Sequence, residues 1–416
     1  MINFSIERPL RAYSQEIEFV LKLWAINNNL KINFLDNANE VITIGGASSY
    51  LPTKFELVTS QNSVRLNSDC LIQDESGRPD HLATAFYMVN SLQEYDDKDL
   101  DDLGRFKYSN SYQYKFQNSN ENIVQRCFDE ISKTLGIPIN RAKTRFLLTH
   151  DIDLVNSAIV EDGFNVLKRG RIDLFLQMLF NVVVGKPDWL NIDRILKIEN
   201  EHDCKSLFFW IVNKGKINAR EKNADYSFES LKIQNQLKRV IESGSQNGIH
   251  KSIAPDTFNQ EFEKYGGRPY SNRYHYLKFN LPQAYDDIAD AHLKLDASLG
   301  FAEQIGFRNS YGLPFNPYNL RLREPYAFIE APLHVMDRTY FQYKKFNVVE
   351  AGRDIFDFFE KNRENCVLSV LWHNNFFSNY KFNGYFDLYK KILVYLKEND
   401  FETITQEEIY KRYSMV

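Results

Sequence analysis

The sequence lacks paired cysteines and a surplus of charge of either sign. Its four cysteines stand at positions 70, 127, 204 and 366, with no C-x-x-C pair. Such spacing excludes a zinc ribbon or a disulfide framework and predicts reduced core thiols. Lys and Arg number 51 against 55 Asp and Glu, for a net charge of −4. That balance gives no reason to expect nucleic acid or an anionic membrane as a partner.

Long hydrophobic runs are also missing. The first twenty residues include Glu7, Arg11 and Glu16 and contain no apolar signal segment. The longest apolar stretch, residues 174–184, contains Gln177, is too short to cross a bilayer, and predicts a buried helix. We therefore expect a cytoplasmic protein without membrane insertion.

A chain of 416 residues with 43% hydrophobic residues has room for more than one globular domain. Residues 1–140 predict a smaller α/β domain, to which no cluster of His, Cys or carboxylates gives a chemistry. Its helices are expected over 16–27, 81–92 and 123–135, its strands over 40–45 and 64–72, and a solvated acidic loop over 96–102.

Residues 141–416 alternate apolar strands with longer amphipathic helices, which predicts a parallel α/β sheet or barrel. Strands are expected over 144–149, 205–212, 248–250, 295–298 and 366–371. Helices are expected over 162–184, 192–202, 228–243, 281–294, 349–360 and 386–398, with a polar surface loop over 213–226. In such folds chemistry collects at the carboxyl ends of the strands.

The first of these strands ends in the run THDID, residues 149–153. Side chains alternate along a strand, so Asp151 and Asp153 point to one face and His150 to the other. Two carboxylates side by side are costly unless a cation or a proton separates them. The alternative is an Asx turn with both carboxylates solvated. We interpret His150 as structural.

Two more strand ends carry histidines, His250 and His373, and His275 follows between two tyrosines. A hydrolytic metal site needs about three His or carboxylate ligands with a base nearby. Asp153, His250 and His275 are the candidate ligands, although each histidine alone is equally typical of a structural position. His81, His202, His292 and His334 lie in helical or exposed contexts and receive no role.

Four segments, in order, resemble the motifs of the polysaccharide deacetylases (the NodB-homology, carbohydrate esterase family 4 superfamily). They are THDID at 149–153, GIHKS at 248–252, FRN at 307–309 followed by LPF at 313–315, and LWHNN at 371–375. Segments 81–95, 273–279 and 295–301 resemble a divergent bacterial branch with an N-terminal domain of unknown function. The resemblance implies a distorted (β/α) barrel of about seven strands at 141–416, behind the smaller domain.

Carried over to this chain, the resemblance implies a role for each matching residue. Asp151 matches the catalytic base and Arg308 the arginine that orients it. Asp153 and His250 match metal ligands, usually for zinc, and His373 matches the general acid. Ala254 stands where the family has a second histidine, and His275 is the candidate replacement for that ligand.

The resulting hypothesis is a metal-dependent hydrolase that removes N- or O-linked acetyl groups from a carbohydrate of surface polysaccharide metabolism, with zinc as the favoured divalent ion. The alternative is a catalytically inactive carbohydrate-binding or scaffold protein on a degenerate deacetylase fold, which Ala254 and the aromatic stretches 265–279 and 311–326 motivate. A third hypothesis is a glycosidase with paired carboxylates and no metal requirement.

Overall fold

The computed structural model describes residues 1–35, 42–44, 55, 64–74, 76–95, 97–185, 188–218, 221–378 and 381–415. In the first domain the strands β1 (Ile2–Ile6), β2 (Ile32–Phe34) and β3 (Ile42–Ile44) form a parallel sheet in the order β2-β1-β3. The helices are α1 (Ser14–Asn27), α2 (His81–Val89), α3 (Tyr112–Lys115) and α4 (Ile123–Thr134).

The predicted helices of this domain are present, but one predicted strand is wrong. Residues 64–72 form an irregular segment with a turn, closed by a hydrogen bond from Leu71 N to the Asn67 side chain. The strand expected at 40–45 is found over Ile42–Ile44, and its remaining positions lie outside the described residues.

The second half of the chain forms one parallel sheet. Its strands are β4 (Arg145–Ile152), β5 (Ser206–Trp210), β6 (Gln246–Lys251), β7 (Ser271–Tyr274), β8 (Leu295–Asp296), β11 (Ile329–Glu330), β12 (Leu333–Met336) and β13 (Val367–Leu371). They lie in the order β11-β8-β7-β6-β5-β4-β13-β12. The antiparallel pair β9 (Tyr318–Asn319) and β10 (Glu324–Pro325) stands apart.

This sheet closes into a barrel because a single segment bonds to both of its edges. β11 pairs with β8, and β12 pairs with β13. Two residues separate β11 from β12. Counted as one strand, residues 329–336 complete a barrel of seven strands from the eight that the sheet contains. The fold class predicted from the sequence, an α/β barrel of about seven strands behind a smaller α/β domain, is confirmed.

Helices surround the barrel. They are α5 (Ala158–Lys168), α6 (Ile172–Val183), α7 (Ile192–Asn200), α8 (Leu231–Glu242), α9 (Phe258–Tyr265), α10 (Gln283–Asp290), α11 (Val348–Lys361), α12 (Tyr385–Glu398) and α13 (Gln406–Tyr413). The single helix predicted over 162–184 is wrong: Gly170, at φ +71°, separates two helices. The expected burial of residues 174–184 is wrong too, since Leu176, Phe180 and Val183 are exposed.

One hydrophobic core runs through both halves of the chain. Tyr318, from the β9–β10 pair, packs against both Phe19 and Phe86 of the first domain, with its ring centroid 5.0 and 5.1 Å from theirs. The four cysteines are free and buried, as predicted. Among the described residues, none of the helices combines the length and the apolarity that crossing a bilayer requires.

Candidate metal centre and active site

The titratable residues singled out in the barrel motifs meet at the carboxyl ends of its strands, with one exception. β4 carries Asp151 and leads to Asp153, β6 carries His250, β7 leads to His275, and β13 leads to His373. All five are buried. Parallel strands bring their carboxyl ends to the same end of a barrel, so residues far apart in sequence become neighbours.

Asp153, His250 and His275, called the metal triad below, converge on one point. Their ligand atoms lie within 4.8 Å of one another. His250 Nε2 lies 3.1 Å from His275 Nδ1, and Asp153 Oδ1 lies 3.3 and 3.5 Å from these two nitrogens. No donor in the described part of the chain gives that carboxylate oxygen a hydrogen bond, although it is buried.

Backbone carbonyls fix which nitrogen of each ring carries its proton. His250 Nδ1 donates to Arg273 O at 2.8 Å, and His275 Nε2 donates to Lys222 O at 2.9 Å. The other two ring nitrogens, His250 Nε2 and His275 Nδ1, therefore face each other. Burial lowers the pKa of His275 to about 4, which keeps its ring neutral. Burial alone would also lower the pKa of His250, but the carboxylates of Asp151 and Asp153 raise it above its usual value. The site thus attracts positive charge, from a proton or a metal ion, and histidines held by carbonyls are typical of metal ligands.

Asp151 lies beside the triad and is paired with an arginine. Arg273 Nη1 donates to Asp151 Oδ1 at 3.0 Å and to Thr149 Oγ1 at 2.8 Å. Burial alone would raise the pKa of Asp151, but the charges of His250 and Arg273 outweigh it and the pKa lies below its usual value. Asp151 is therefore held as a carboxylate.

Arg308 was predicted to orient Asp151, and that prediction is wrong, because its guanidinium bonds to other residues. Its guanidinium donates to both carboxylate oxygens of Glu94 in the first domain, at 2.9 and 2.6 Å, and to Gly300 O. Arg273 makes the contact to Asp151 in its place. Arg273 is hard to recognise from the sequence, because the short strand β7 is polar and lacks an apolar pattern.

His373 is held by Asp337, a residue that the sequence analysis missed. Asp337 accepts hydrogen bonds from His373 N at 2.6 Å and Nδ1 at 2.7 Å, which directs Nε2 to a point 3.8 Å from Asp153 Oδ2. A signal for Asp337 existed, since it follows the apolar strand β12 as Asp153 follows β4. His334 in β12 is buried and accepts from Ser369 N, so its assignment to a helical or exposed context is wrong.

The buried side chains open onto a cleft of about 850 Å³. The first domain forms one of its walls with Leu100, Asp101, Leu103, Arg105 and Lys107. Arg105 joins the two halves, since its guanidinium donates to Tyr276 O at 2.9 Å and to the Tyr343 hydroxyl at 3.1 Å. The first domain, to which the sequence analysis assigns no chemistry, therefore forms part of the cleft.

Two other predicted features take on a definite place. His150 faces away from the cleft, as expected, with Nε2 2.8 Å from Glu199 and Nδ1 2.7 Å from Trp372 O. The loop expected over 213–226 includes Lys222 and Asn223, which line the cleft. Its polar sequence concealed this contribution, because the contact to His275 comes from a backbone carbonyl.

Comparison with known proteins gives the following similarities. A family model described as a family of unknown function (DUF7033) matches residues 13–136. No curated protein matches the chain. A candidate polysaccharide deacetylase from Mycobacterium smegmatis is similar at 11% identity and a TM-score of 0.42, over 65% of this chain and 90% of that one.

Two further solved structures resemble the barrel. A polysaccharide deacetylase from Bacillus cereus has 15% identity and a TM-score of 0.32, over 64% and 94% of the two chains. A point mutant of the peptidoglycan deacetylase PdaC from Bacillus subtilis has 12% identity and a TM-score of 0.33, over 65% and 93%. These three chains are described as polysaccharide or peptidoglycan deacetylases, the class whose motifs the four sequence segments resemble.

Proposed function

We propose that this chain is a metal-dependent hydrolase that removes acetyl groups, linked through nitrogen or oxygen, from a carbohydrate. The observation that carries the proposal is the pair of facing ring nitrogens, His250 Nε2 and His275 Nδ1, next to the unbonded Asp153 oxygen. A proton on one ring would satisfy one of these contacts, whereas a divalent cation satisfies all three.

The donor set favours zinc. A tetrahedral ion with Zn–N bonds of about 2.0–2.1 Å separates neighbouring ligands by roughly 3.3 Å. The three separations in the triad, 3.1, 3.3 and 3.5 Å, fit that value. Two imidazoles and one carboxylate form a zinc ligand set that keeps a further position for water or substrate. The chemistry that such an ion supplies is Lewis acidity toward an acyl oxygen and toward water.

Asp151 is suited to act as the base. Its carboxylate is kept ionised by Arg273 and lies next to the triad, with Oδ2 3.4 Å from His250 Nε2. A water molecule bound beside the triad would therefore lose its proton to Asp151 as it attacks the acetyl carbon. Arg273 stabilises the carboxylate and fixes which oxygen faces the water.

His373 is suited to act as the acid. Asp337 accepts from Nδ1, so Nε2 is the nitrogen that faces the cleft and can pass a proton to the leaving amine or alkoxide. The acid and the base come from two neighbouring strands beside the triad, β13 and β4. Breaking an amide or ester bond requires a proton at the leaving group and a base at the water, and this arrangement provides both.

The cleft suits an acetylated sugar. Beside His373, the residues Leu277, Ala302, Met336 and Leu371 form a small apolar cluster that lines the cleft and fits an acetyl methyl group. Tyr276, Tyr343 and Phe382 add aromatic surface, and rings with an apolar face and a polar edge are typical of sugar sites. The four deacetylase motifs support the same substrate class. The cytoplasmic location and the role in surface polysaccharide metabolism stay predictions.

Elemental analysis of the purified protein tests the proposal. We expect about one zinc or similar ion per chain in the wild type and little in His250→Ala and His275→Ala. His202→Ala is the matched control, because His202 lies just after α7 and its Nδ1 bonds to Ile198 O of that helix, away from the triad. The release of acetate from acetylated oligosaccharides and sugar nucleotides is then measured for the same variants.

Absence of metal from the wild type after incubation with zinc would contradict the proposal and favour the inactive carbohydrate-binding protein. Metal bound without acetate release from any such substrate would reject the acetyl group as the target.

A further inference from the structure

Helices α5 and α6 pack against each other as an apolar hairpin, residues 158–183, on the outside of the barrel. Its inner face is buried through Val166 and Met178. Its outer face is apolar as well: Phe164 is 61% exposed, Phe180 64% and Val183 83%. A helix whose outer side is mainly apolar normally packs against a partner or an apolar medium on that side.

The exposed apolar residues form stripes. On α5 they are Val160, Phe164 and Leu167, and on α6 they are Ile172, Leu176, Phe180 and Val183. Spacings of three and four residues place each set along one side of its helix. A continuous patch of this kind marks an interaction surface, whereas single exposed apolar residues are ordinary.

The charge at the end of the hairpin indicates what covers it. Lys168 at the end of α5 and Arg169 and Arg171 in the connection are all exposed, and the Asp173 carboxylate pairs with Arg171. Lys168 Nζ lies 4.6 Å from the centre of the Phe164 ring, where a cation borders the apolar stripe. Apolar stripes bordered by cations are the pattern of helices that lie in a bilayer interface with anionic lipids. A second copy of the chain would bring more of the same cations.

The hairpin is fixed to the rim of the cleft. Asp162 of α5 accepts hydrogen bonds from the Ser378 hydroxyl at 3.0 Å and from Lys381 N at 3.2 Å. Lys381 and Phe382 line the cleft. Any partner surface that binds the hairpin therefore also lies near the entrance of the cleft.

We propose that the apolar hairpin docks this protein on an anionic lipid surface, with the cleft next to the lipid headgroups. Its helices have 11 and 12 residues and lie in the interface, because a bilayer core requires about 20 apolar residues to cross. This further inference rests on the proposed function for one point only: the acetylated sugar would be one that is presented at a membrane surface.

Sedimentation of the full chain with vesicles tests the docking. We expect the wild type to bind vesicles of phosphatidylglycerol mixed with phosphatidylcholine about tenfold more tightly than vesicles of phosphatidylcholine alone. Phe164→Ser combined with Phe180→Ser should reduce binding to the mixed vesicles by about tenfold or more. Lys168→Glu combined with Arg169→Glu should remove the preference for anionic lipid. Leu231→Ser, at an exposed leucine on α8, is the control that binds as the wild type does.

Several results would overturn the inference. One is a wild type that stays in solution with both vesicles at low salt. Another is a serine double variant that binds as tightly as the wild type while its thermal unfolding is unchanged. A concentration-dependent dimer that the serine variant abolishes would show that a second copy covers the hairpin. Metal content and acetate release from a soluble substrate are measured separately, so failure of the proposed function is distinguishable from failure of the docking.

Discussion

At the scale of single residues, Arg273 connects the two parts of the candidate site. Its carbonyl oxygen accepts from His250 Nδ1, and its guanidinium donates to Asp151. One position on β7 therefore sets both the ligand geometry of a histidine and the charge of the carboxylate beside it. A shift of this strand would disturb metal binding and the base together.

Asp337 gives a prediction about the acid. Asn in its place has one oxygen and one amide nitrogen, so it cannot accept from both His373 N and His373 Nδ1, as Asp337 does. We expect Asp337→Asn to reduce kcat by roughly 100-fold, because the imidazole loses its orientation. Metal content should stay at the wild-type level.

Steady-state kinetics and elemental analysis check this, with Asp387→Asn on the exposed side of α12 as the control. An Asp337→Asn variant with unchanged kcat would remove His373 from the acid role.

Much of the candidate site was predictable from the sequence, since Asp151, Asp153 and His373 each end or follow an apolar strand and His250 follows the short apolar pair Gly248–Ile249. Arg273 was not, because Asn272, Arg273 and Tyr274 make β7 too polar for a pattern of buried alternation. Arg308 was misplaced because a motif gives the residue type and not its partner.

At the scale of elements, strand length decided what could be predicted. β4, β5 and β13 are mainly apolar, are buried along five residues or more and were expected from the sequence. β8 was also expected, within the strand predicted over 295–298. β11 has two residues, too few to show a period, and the closing segment went unrecognised. The break at Gly170 was hidden by the apolar residues on both sides of it.

Gly300 gives a prediction about the closure of the barrel. A Cβ atom at this position would lie 2.6 Å from Leu333 O, on the segment that bonds to both edges. We expect Gly300→Ala to lower the free energy of unfolding by about 1–3 kcal/mol, because backbone cannot move aside as a side chain can.

Thermal and denaturant unfolding measure this effect. Gly352→Ala in α11 is the matched control: its added methyl would meet one flexible atom, Leu388 Cδ1, at 3.1 Å. Equal stability of the two variants would mean that the barrel is not tightly closed at Gly300.

At the scale of the whole molecule, the first domain and the barrel are joined by a buried ion pair. Arg308 and Glu94 are each 2% exposed in their side chains. The rings of Phe106, Phe279 and Phe301 surround the guanidinium, with centres 5.0 to 5.7 Å from it. The arginine of the third motif thus connects domains in this protein.

Arg308→Met tests that role. Removing one partner leaves the Glu94 carboxylate buried without its cation, so we expect a loss of about 3–5 kcal/mol in the free energy of unfolding. The double variant Glu94→Leu with Arg308→Met should recover most of the loss. Metal content and kcat per folded molecule should be retained.

Equilibrium unfolding and single-turnover assays of these variants separate the two roles. A drop in kcat at unchanged stability would place Arg308 at the base, as the family resemblance implied.

The net charge of the whole chain is a poor guide to whether the protein binds an anionic surface. At −4 it gave no sign of an anionic partner, yet Lys168, Arg169 and Arg171 lie together at one end of an apolar hairpin. A sum over all residues does not show where charges lie, and a lipid surface responds to the local arrangement.

The wall that the first domain contributes has a consequence for inheritance. Arg105 connects residues 100–107 to Tyr276, directly after His275, and to Tyr343. A recombination event between the two halves of the gene would keep every ligand and lose one side of the cleft. We expect the two coding regions to descend together, with changes around residue 105 matched by changes at the facing barrel loops.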